Sequence, residues 1–389
     1  MLLHMVLPGA ITLKKLCIVA TIPAIVNSFL RGHIEVAAQK YDVTVVCNST
    51  DLHLIQGLSA RVILLPISRR PSLGSDLVAS FLLMRLFWRE KFDIVHSHFP
   101  KSGLLGMTAA WITRVPIRIH TFHGEVWATR RGWRRSTLKA FDRMVAWMAT
   151  DVLTVSASQQ KFLVREGVLF QGQSKVIGAG SICGVDPLRF CPDSNVRRIT
   201  RQELGIDQHT KLILFVGRLN RDKGVLDLVE AFLDISRRRP DVALLLVGAQ
   251  EDIHFSALQE MCGEYRHRIH YQSFTRTPER YMATADVFCL PSYREGFGVT
   301  LIEAAACGVP AVASRISGIV DAVSDGETGL LFMPANVPEL THALLTLISD
   351  EPLCQRMGVL ARSRTVALFA PDKIAVEVLT FYDTLSEKR

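Results

Sequence analysis

Residues 211–248 read KLILFVGRLNRDKGVLDLVEAFLDISRRRPDVALLLVG. Leu212–Gly217 is apolar without in/out alternation, which fits a strand buried on both faces. A loop rich in Gly and charge follows, then helical periodicity over Gly224–Arg238, then a second apolar run over Val242–Gly248. Strand, loop, helix and strand in that order point to a parallel sheet covered by helices.

The same grammar extends in both directions. Downstream, Ile269–Gln272, Val287–Leu290, Val309–Ala313 and Leu330–Phe332 read as strands, with helices over Val299–Cys307 and Val337–Ser349. Upstream, the strand candidates are Leu16–Ala20, Val43–Cys47, Val62–Pro66, Ile94–His98, Ile117–Thr121 and Val152–Ser156, with helical patterns over Ser75–Glu90 and Gly103–Arg114. Periodicity lapses over Asp186–Asn195, a linker containing Pro187 and Pro192. The expectation is an α/β protein of two Rossmann-like, doubly wound domains facing a cleft: residues 1–190, residues 191–370, and a C-terminal helix over 371–389 that returns to the first domain.

A chain of 389 residues is comfortable for two such domains. Its 49% hydrophobic and 21% charged residues exclude a disordered tail protein. Eight cysteines with no CxxC pair and no evident secretory signal point to a reduced, cytoplasmic chain. Met1–Leu13 and Leu16–Leu30 are apolar but interrupted by Lys14, Lys15, Pro8 and Pro23, too short to span a bilayer. Charge is uneven. Residues 1–195 hold 23 Lys and Arg against 12 Asp and Glu, whereas the remainder holds 22 against 25. A basic first half suits an anionic partner: phospholipid, a pyrophosphate-bearing substrate or nucleic acid.

Ligands of doubly wound sheets bind beyond the carboxyl ends of strands. Two loops in such positions carry chemistry. In Gly217-Arg218-Leu219-Asn220-Arg221-Asp222-Lys223-Gly224, Gly217 permits close backbone approach, while Arg218 and Lys223 supply a fork and a point charge suited to a diphosphate. In Ser292-Tyr293-Arg294-Glu295-Gly296-Phe297-Gly298-Val299-Thr300-Leu301-Ile302-Glu303, a turn opens into a helix whose free N–H groups attract oxygen ligands. Eight residues along one helix would set Glu295 and Glu303 about 80° apart. The turn instead lets Glu295 face the cleft.

These motifs closely resemble the retaining glycosyltransferases of family four with the GT-B fold. Glu295 and Glu303 match that family's E-x7-E pair, and Phe215–Gly224 its Arg…Lys-Gly loop; Gly308-Val309-Pro310, Ser317-Gly318-Ile319 and Asp325–Leu330 complete the pattern. The resemblance implies that Arg218 and Lys223 hold the donor diphosphate, Glu303 the nucleotide ribose and Glu295 the donor sugar. Gly217 and the backbone of Gly296, Phe297, Gly298, Val299 and Thr300 would complete the donor site. In the first half, His96–Gly103 and His120–Glu125 resemble the branch acting on lipid-linked oligosaccharides for O-antigen, capsule and exopolysaccharide. His123 would face the reaction centre, with His98 and Lys101 on the acceptor side. The Gly-Gly loop common after the family's first strand is replaced here by Thr21-Ile22-Pro23-Ala24-Ile25.

His96, His98, His120 and His123 could suggest a metal, since HxH on a strand puts both rings on one face. No carboxylate partner is fixed by spacing, and Arg218 and Lys223 already supply charge, so neither metal nor cofactor is expected. Trp127–Trp147 reads WATRRGWRRSTLKAFDRMVAW. Arg130, Arg131, Arg134 and Arg135 among aromatic residues suit an anionic membrane surface; no nucleic-acid motif accompanies them. The combined expectation is a hexosyltransferase moving sugar from a nucleotide-diphosphate donor, a UDP-sugar, to a polyprenyl-diphosphate-linked glycan. It would work peripherally at the cytoplasmic face of the inner membrane. A sugar-nucleotide epimerase or phosphorylase on the same fold, and a non-catalytic basic membrane-associated protein, are the competing readings.

Overall fold

The computed structural model describes residues 13–68 and 72–388. Two compact units divide the chain. One takes the residues up to Thr121, Met144–Asp151 and those from Leu379 on; the other takes Phe122–Arg143 and Val152–Val378. The expected fold class is what forms: two parallel α/β sheets.

The first sheet runs through β1 (Lys14–Val19), β2 (Tyr41–Cys47), β3 (Arg61–Leu64), β4 (Ile94–His98), β5 (Ile117–Phe122), β6 (Asp151–Thr154) and β7 (Ser174–Val176), in the order β3-β2-β1-β4-β5-β6-β7. The second holds β8 (Lys211–Val216), β9 (Val242–Val247), β10 (Ile269–Gln272), β11 (Val287–Leu290), β12 (Ala311–Ser314) and β13 (Gly329–Phe332), ordered β10-β9-β8-β11-β12-β13. All six residues of β9 and all four of β11 and of β12 are buried, as apolar runs without alternation demand. In each sheet the strand order reverses beside the first strand: between β1 and β4, and between β8 and β11. Crossovers leave in opposite directions there, so a crevice opens at the strand ends.

The helices that matter below are α1 (Leu73–Glu90), α2 (Pro100–Ile112), α3 (Gly132–Met148), α4 (Ala157–Arg165), α5 (Val225–Arg238), α6 (Val299–Ala306) and α7 (Pro371–Glu387). Several expected boundaries move. The first strand begins at Lys14 rather than Leu16, and α2 begins at Pro100 rather than Gly103, because Pro is suited to a first helical turn. The strand β7 was not expected; three residues are too few to show periodicity. The linker ends early, where the side chain of Asp193 caps a helix over Ser194–Leu204. Most of the Met1–Leu13 run lies outside the described residues.

The last turns of α7 pack within the first unit. Tyr382 Oη lies 2.7 Å from His96 Nδ1. Tyr41 donates to Asp383 at 2.9 Å, and Lys14 Nζ to the carbonyl of Ser386 at 2.6 Å.

Candidate functional site

Because β8 and β11 are neighbours, the loops that leave them are brought side by side. The β8 loop is anchored first to its own sheet: Gly217 N–H donates to the Val247 carbonyl at 2.9 Å, and Leu219 N–H to the Ala249 carbonyl at 2.8 Å. Asn220 caps the short turn that follows, accepting from Lys223 N–H at 3.0 Å. Gly224 closes it at φ 68°, where a Cβ would lie 2.0 Å from the Pro291 carbonyl oxygen. Only glycine allows the two loops to approach that closely.

Cross-links between the loops follow. Tyr293 N–H donates to the Asp222 carbonyl at 2.9 Å, Arg294 Nε to the Asp222 carboxylate at 2.9 Å, and Tyr293 Oη to Asp227 at 2.6 Å. Lys223 Nζ pairs with Glu295, which also accepts from Ser292 Oγ at 2.8 Å. Gly298, at φ 69°, opens α6, and no side chain caps its first N–H groups.

Glu303 lies on α6, partly exposed. Its carboxylate makes no hydrogen bond or ion pair among the described residues. Burial pushes its carboxyl up to about 7, with Arg189 pulling it down and Glu279 pushing it up. A carboxylate in a recess without a partner is suited to a ligand hydroxyl.

Arg218 is engaged. Its Nη1 reaches both oxygens of Glu251 at 2.6 Å, and Asn220 donates to the same carboxylate at 2.6 Å. Sequence reasoning missed Glu251. Its position one residue past the bridge that joins Leu219 to Gln250 is a tertiary fact. Of the remaining expected donor positions, Gly296, Phe297 and Gly298 are buried, and Val299 and Thr300 partly so; Phe297 packs edge-on against Phe369 with centroids 5.3 Å apart.

His123 belongs to the same unit as Glu295. A Cβ on Gly296 would sit 2.4 Å from the His123 carbonyl oxygen, so the 123–124 backbone lies directly against the 295–296 turn. Beside it, Glu125 is a second residue that sequence reasoning passed over. Burial raises it to about 8, Gln159 Nε2 donates to it at 2.8 Å, and nearby Asp142 raises it further. Glu125 and Glu295 both line a cleft of about 530 Å³ with Ser158, Arg294, Arg315 and Ser317.

His98 and Lys101 are in the other unit. His98 is buried at the end of β4 and held neutral by burial and by its neighbours His96, His33 and His120. Lys101 pairs with Asp76 at 2.6 Å and donates to Ser68 at 2.8 Å. His96 and His120 are core residues: His96 meets Tyr382 and Thr121, each at 2.7 Å, and His120 meets Ser97 at 2.9 Å. Among the described residues, no three His, Cys, Asp or Glu side chains are grouped to hold a metal ion.

The basic aromatic stretch is divided between core and surface. Trp127 precedes α3 and is 1% exposed. It donates to Asp142 at 2.7 Å and stacks on Phe162. Arg135 and Lys139 lie over its ring and pair with Glu166 at 2.6 and 2.7 Å. Trp133 and Trp147 remain outside.

Two family descriptions match the chain: "Glycosyl transferases group 1" over residues 196–364 and "Glycosyl transferase 4-like domain" over residues 35–178. The capsular polysaccharide biosynthesis glycosyltransferase CapM of Staphylococcus aureus is 29% identical over 91% of this chain and 93% of its own length. The UDP-Gal:alpha-D-GlcNAc-diphosphoundecaprenol alpha-1,3-galactosyltransferase of Escherichia coli is 27% identical, covering 81% and 82%. The structure of Anabaena HepE in complex with UDP-glucose superposes with a TM-score of 0.76 at 19% identity, over 95% of this chain and 99% of that one. With two loops joined at the switch point of its second sheet and both halves matched by these descriptions, the chain is a glycosyltransferase and belongs to the group 1, family four enzymes of GT-B fold.

Proposed function

We propose that this glycosyltransferase moves a hexose from a UDP-sugar to a polyprenyl-diphosphate-linked glycan, with retention at the anomeric carbon, in the building of a cell-surface polysaccharide. The observation that carries the reading is the Lys223–Glu295 pair, which joins a diphosphate cation to a sugar-binding carboxylate across two loops. In this reading Arg218, Lys223 and the α6 N–H groups stabilise the charge that develops on the departing diphosphate. Glu303 accepts from the ribose, Glu295 from the donor sugar, and His123 sits by the sugar. Residues 191–370 form the donor domain, and residues 1–190, with His98 and Lys101, the acceptor domain. The C1–oxygen bond of the donor breaks while the acceptor oxygen bonds to C1 on the same face, and the leaving phosphate oxygen takes the acceptor proton.

The activities of the Staphylococcus and Escherichia relatives support capsule-type chemistry, a UDP donor and a diphospholipid acceptor. Peripheral attachment to an anionic membrane is supported by α1. Leu77, Phe81 and Trp88 are exposed along it beside exposed Arg85 and Arg89, while the tilted rings of Trp111 and Trp147 lie 5.3 Å apart in the same unit. No helix among the described residues is long and apolar enough to cross a bilayer.

The test is transfer from a panel of labelled UDP-sugars to a synthetic undecaprenyl-diphosphate-linked GlcNAc, with the product's anomeric configuration read from its one-bond C–H coupling. One α-configured product from an α-donor is expected. An inverted product, or donor turnover that needs no acceptor, refutes the reading.

A further inference from the structure

Beside the 530 Å³ cleft that holds Glu295 lies a second of about 640 Å³; the two share Ala128, Arg135 and Tyr293 as walls. Arg130, Arg131 and Arg221 line the larger one. Sequence position gave no reason to group them: two precede α3, and the third stands in the loop after β8. All three side chains are exposed, and none makes an ion pair among the described residues. The acids nearby are already engaged: Asp222 by Arg294 and Asp227 by Tyr293. Three unpaired arginines therefore line one concavity and outnumber its two acids, Asp222 and Asp227, the first of which is already neutralised by Arg294, so positive charge is in excess there. Like charges so gathered repel, and an anion with several oxygens relieves the repulsion while accepting forked hydrogen bonds.

The donor diphosphate already has its cations in Arg218 and Lys223. The acceptor has a diphosphate of its own, placed beyond the glycan whose hydroxyl must reach the donor sugar at Glu295. We infer that the Arg130–Arg131–Arg221 cleft binds the diphosphate of the polyprenyl-diphosphate acceptor, leaving the adjoining cleft to its glycan. The inference rests on the acceptor class proposed above. It gives these arginines a role different from contact with bulk lipid, and Arg134, whose guanidinium lies over the Trp133 ring 5.5 Å from its centroid, does not share it.

The probe is geranyl diphosphate, titrated calorimetrically into the full-length protein with and without saturating UDP. It should bind alongside UDP. R130Q/R131Q/R221Q should weaken it by about 10- to 100-fold, since charge-assisted contacts are lost, with UDP affinity within about twofold of wild type. R130K/R131K/R221K, which keeps the charge and loses the forks, should fall between. Competition between geranyl diphosphate and UDP would place the lipid diphosphate in the donor site and overturn the assignment. So would full affinity in the Gln triple variant, or loss of UDP binding in a variant that still melts cooperatively. The two readings fail separately. An unchanged KM for the lipid-linked acceptor in the Gln triple variant refutes the cleft and spares the acceptor class. Geranyl diphosphate held by these arginines in an enzyme that transfers nothing to lipid-linked glycans supports the cleft and refutes the acceptor class.

Discussion

Arg218 and Glu251 form a salt bridge in which one guanidinium nitrogen reaches both carboxylate oxygens at 2.6 Å. Each side chain is about two-fifths exposed, so the pair adds little to stability. Its consequence is for charge: a carboxylate sits on the cation assigned to the donor diphosphate.

Removing that carboxylate charge should therefore tighten nucleotide binding. For Glu251→Gln, UDP affinity is expected to rise a few-fold, while Arg218→Ala should lower it by roughly one to two decades, the loss of about 1.5–3 kcal/mol for a charge-assisted contact. Calorimetry on both variants checks this. Weaker binding in Glu251→Gln would mean that the carboxylate orients Arg218 rather than competing for it.

Lys223 and Glu295 are 72 residues apart in sequence and paired in space. Lys223→Ala should weaken UDP by about one to two decades and also depress turnover, because Glu295 loses its anchor. Glu295→Gln should reduce turnover more than affinity for plain UDP. In a double-mutant cycle on kcat the effects should fall short of additive. Additive losses would show that the two side chains act independently.

The raised carboxyl of Glu303 gives a pH signature. Folded Glu303 titrates near 7, above the ordinary carboxylate value, so between about pH 4.5 and 7 the native state holds a proton that the unfolded chain has lost. Its contribution to stability falls as pH rises through that window. Hydroxyl binding has the opposite dependence, because it needs the ionised form. UDP affinity should weaken by about tenfold from pH 8 to pH 6, and Glu303→Gln, weaker throughout, should be nearly flat after correction for the titration of UDP measured alone. A variant with the wild-type slope would assign the dependence to another group.

His123 carries the largest expected effect on chemistry. His123→Ala should lower turnover by about 10²–10³ if the ring stabilises the transition state, with UDP affinity nearly intact and a cooperative melt. Near wild-type turnover in a folded variant would leave the His123 segment as a backbone support for Gly296.

For the membrane, Phe81→Ser with Trp88→Ser should cut partitioning onto anionic liposomes at least tenfold, since each large apolar side chain contributes about 1.5–3 kcal/mol when buried. Activity on a water-soluble acceptor should persist. Equal loss on soluble and lipid-linked acceptors would show that α1 matters to folding instead.

Much was legible in the order of residues because it is local. Apolar runs such as Val242–Val247 declared buried parallel strands, and the glycines and charges of 217–224 and 292–303 marked loops at strand ends. Those patterns depend only on near neighbours, and they sufficed for the fold class and the two motif loops. Tertiary structure alone decided who meets whom. Strand order set β8 beside β11, and with it Lys223 against Glu295 and Asp222 against Arg294. Burial separated Trp127 from Trp133, six residues apart and both in one basic aromatic stretch, with one in the core and the other in solvent. Periodicity could not make that division, because the segment between Trp127 and Gly132 is not helical and carries no phase from one to the other. The pairing of Arg218 with Glu251 and the gathering of Arg130, Arg131 and Arg221 have the same origin. They are meetings of segments far apart in sequence, fixed by how sheets and crossovers pack rather than by any residue's own preference.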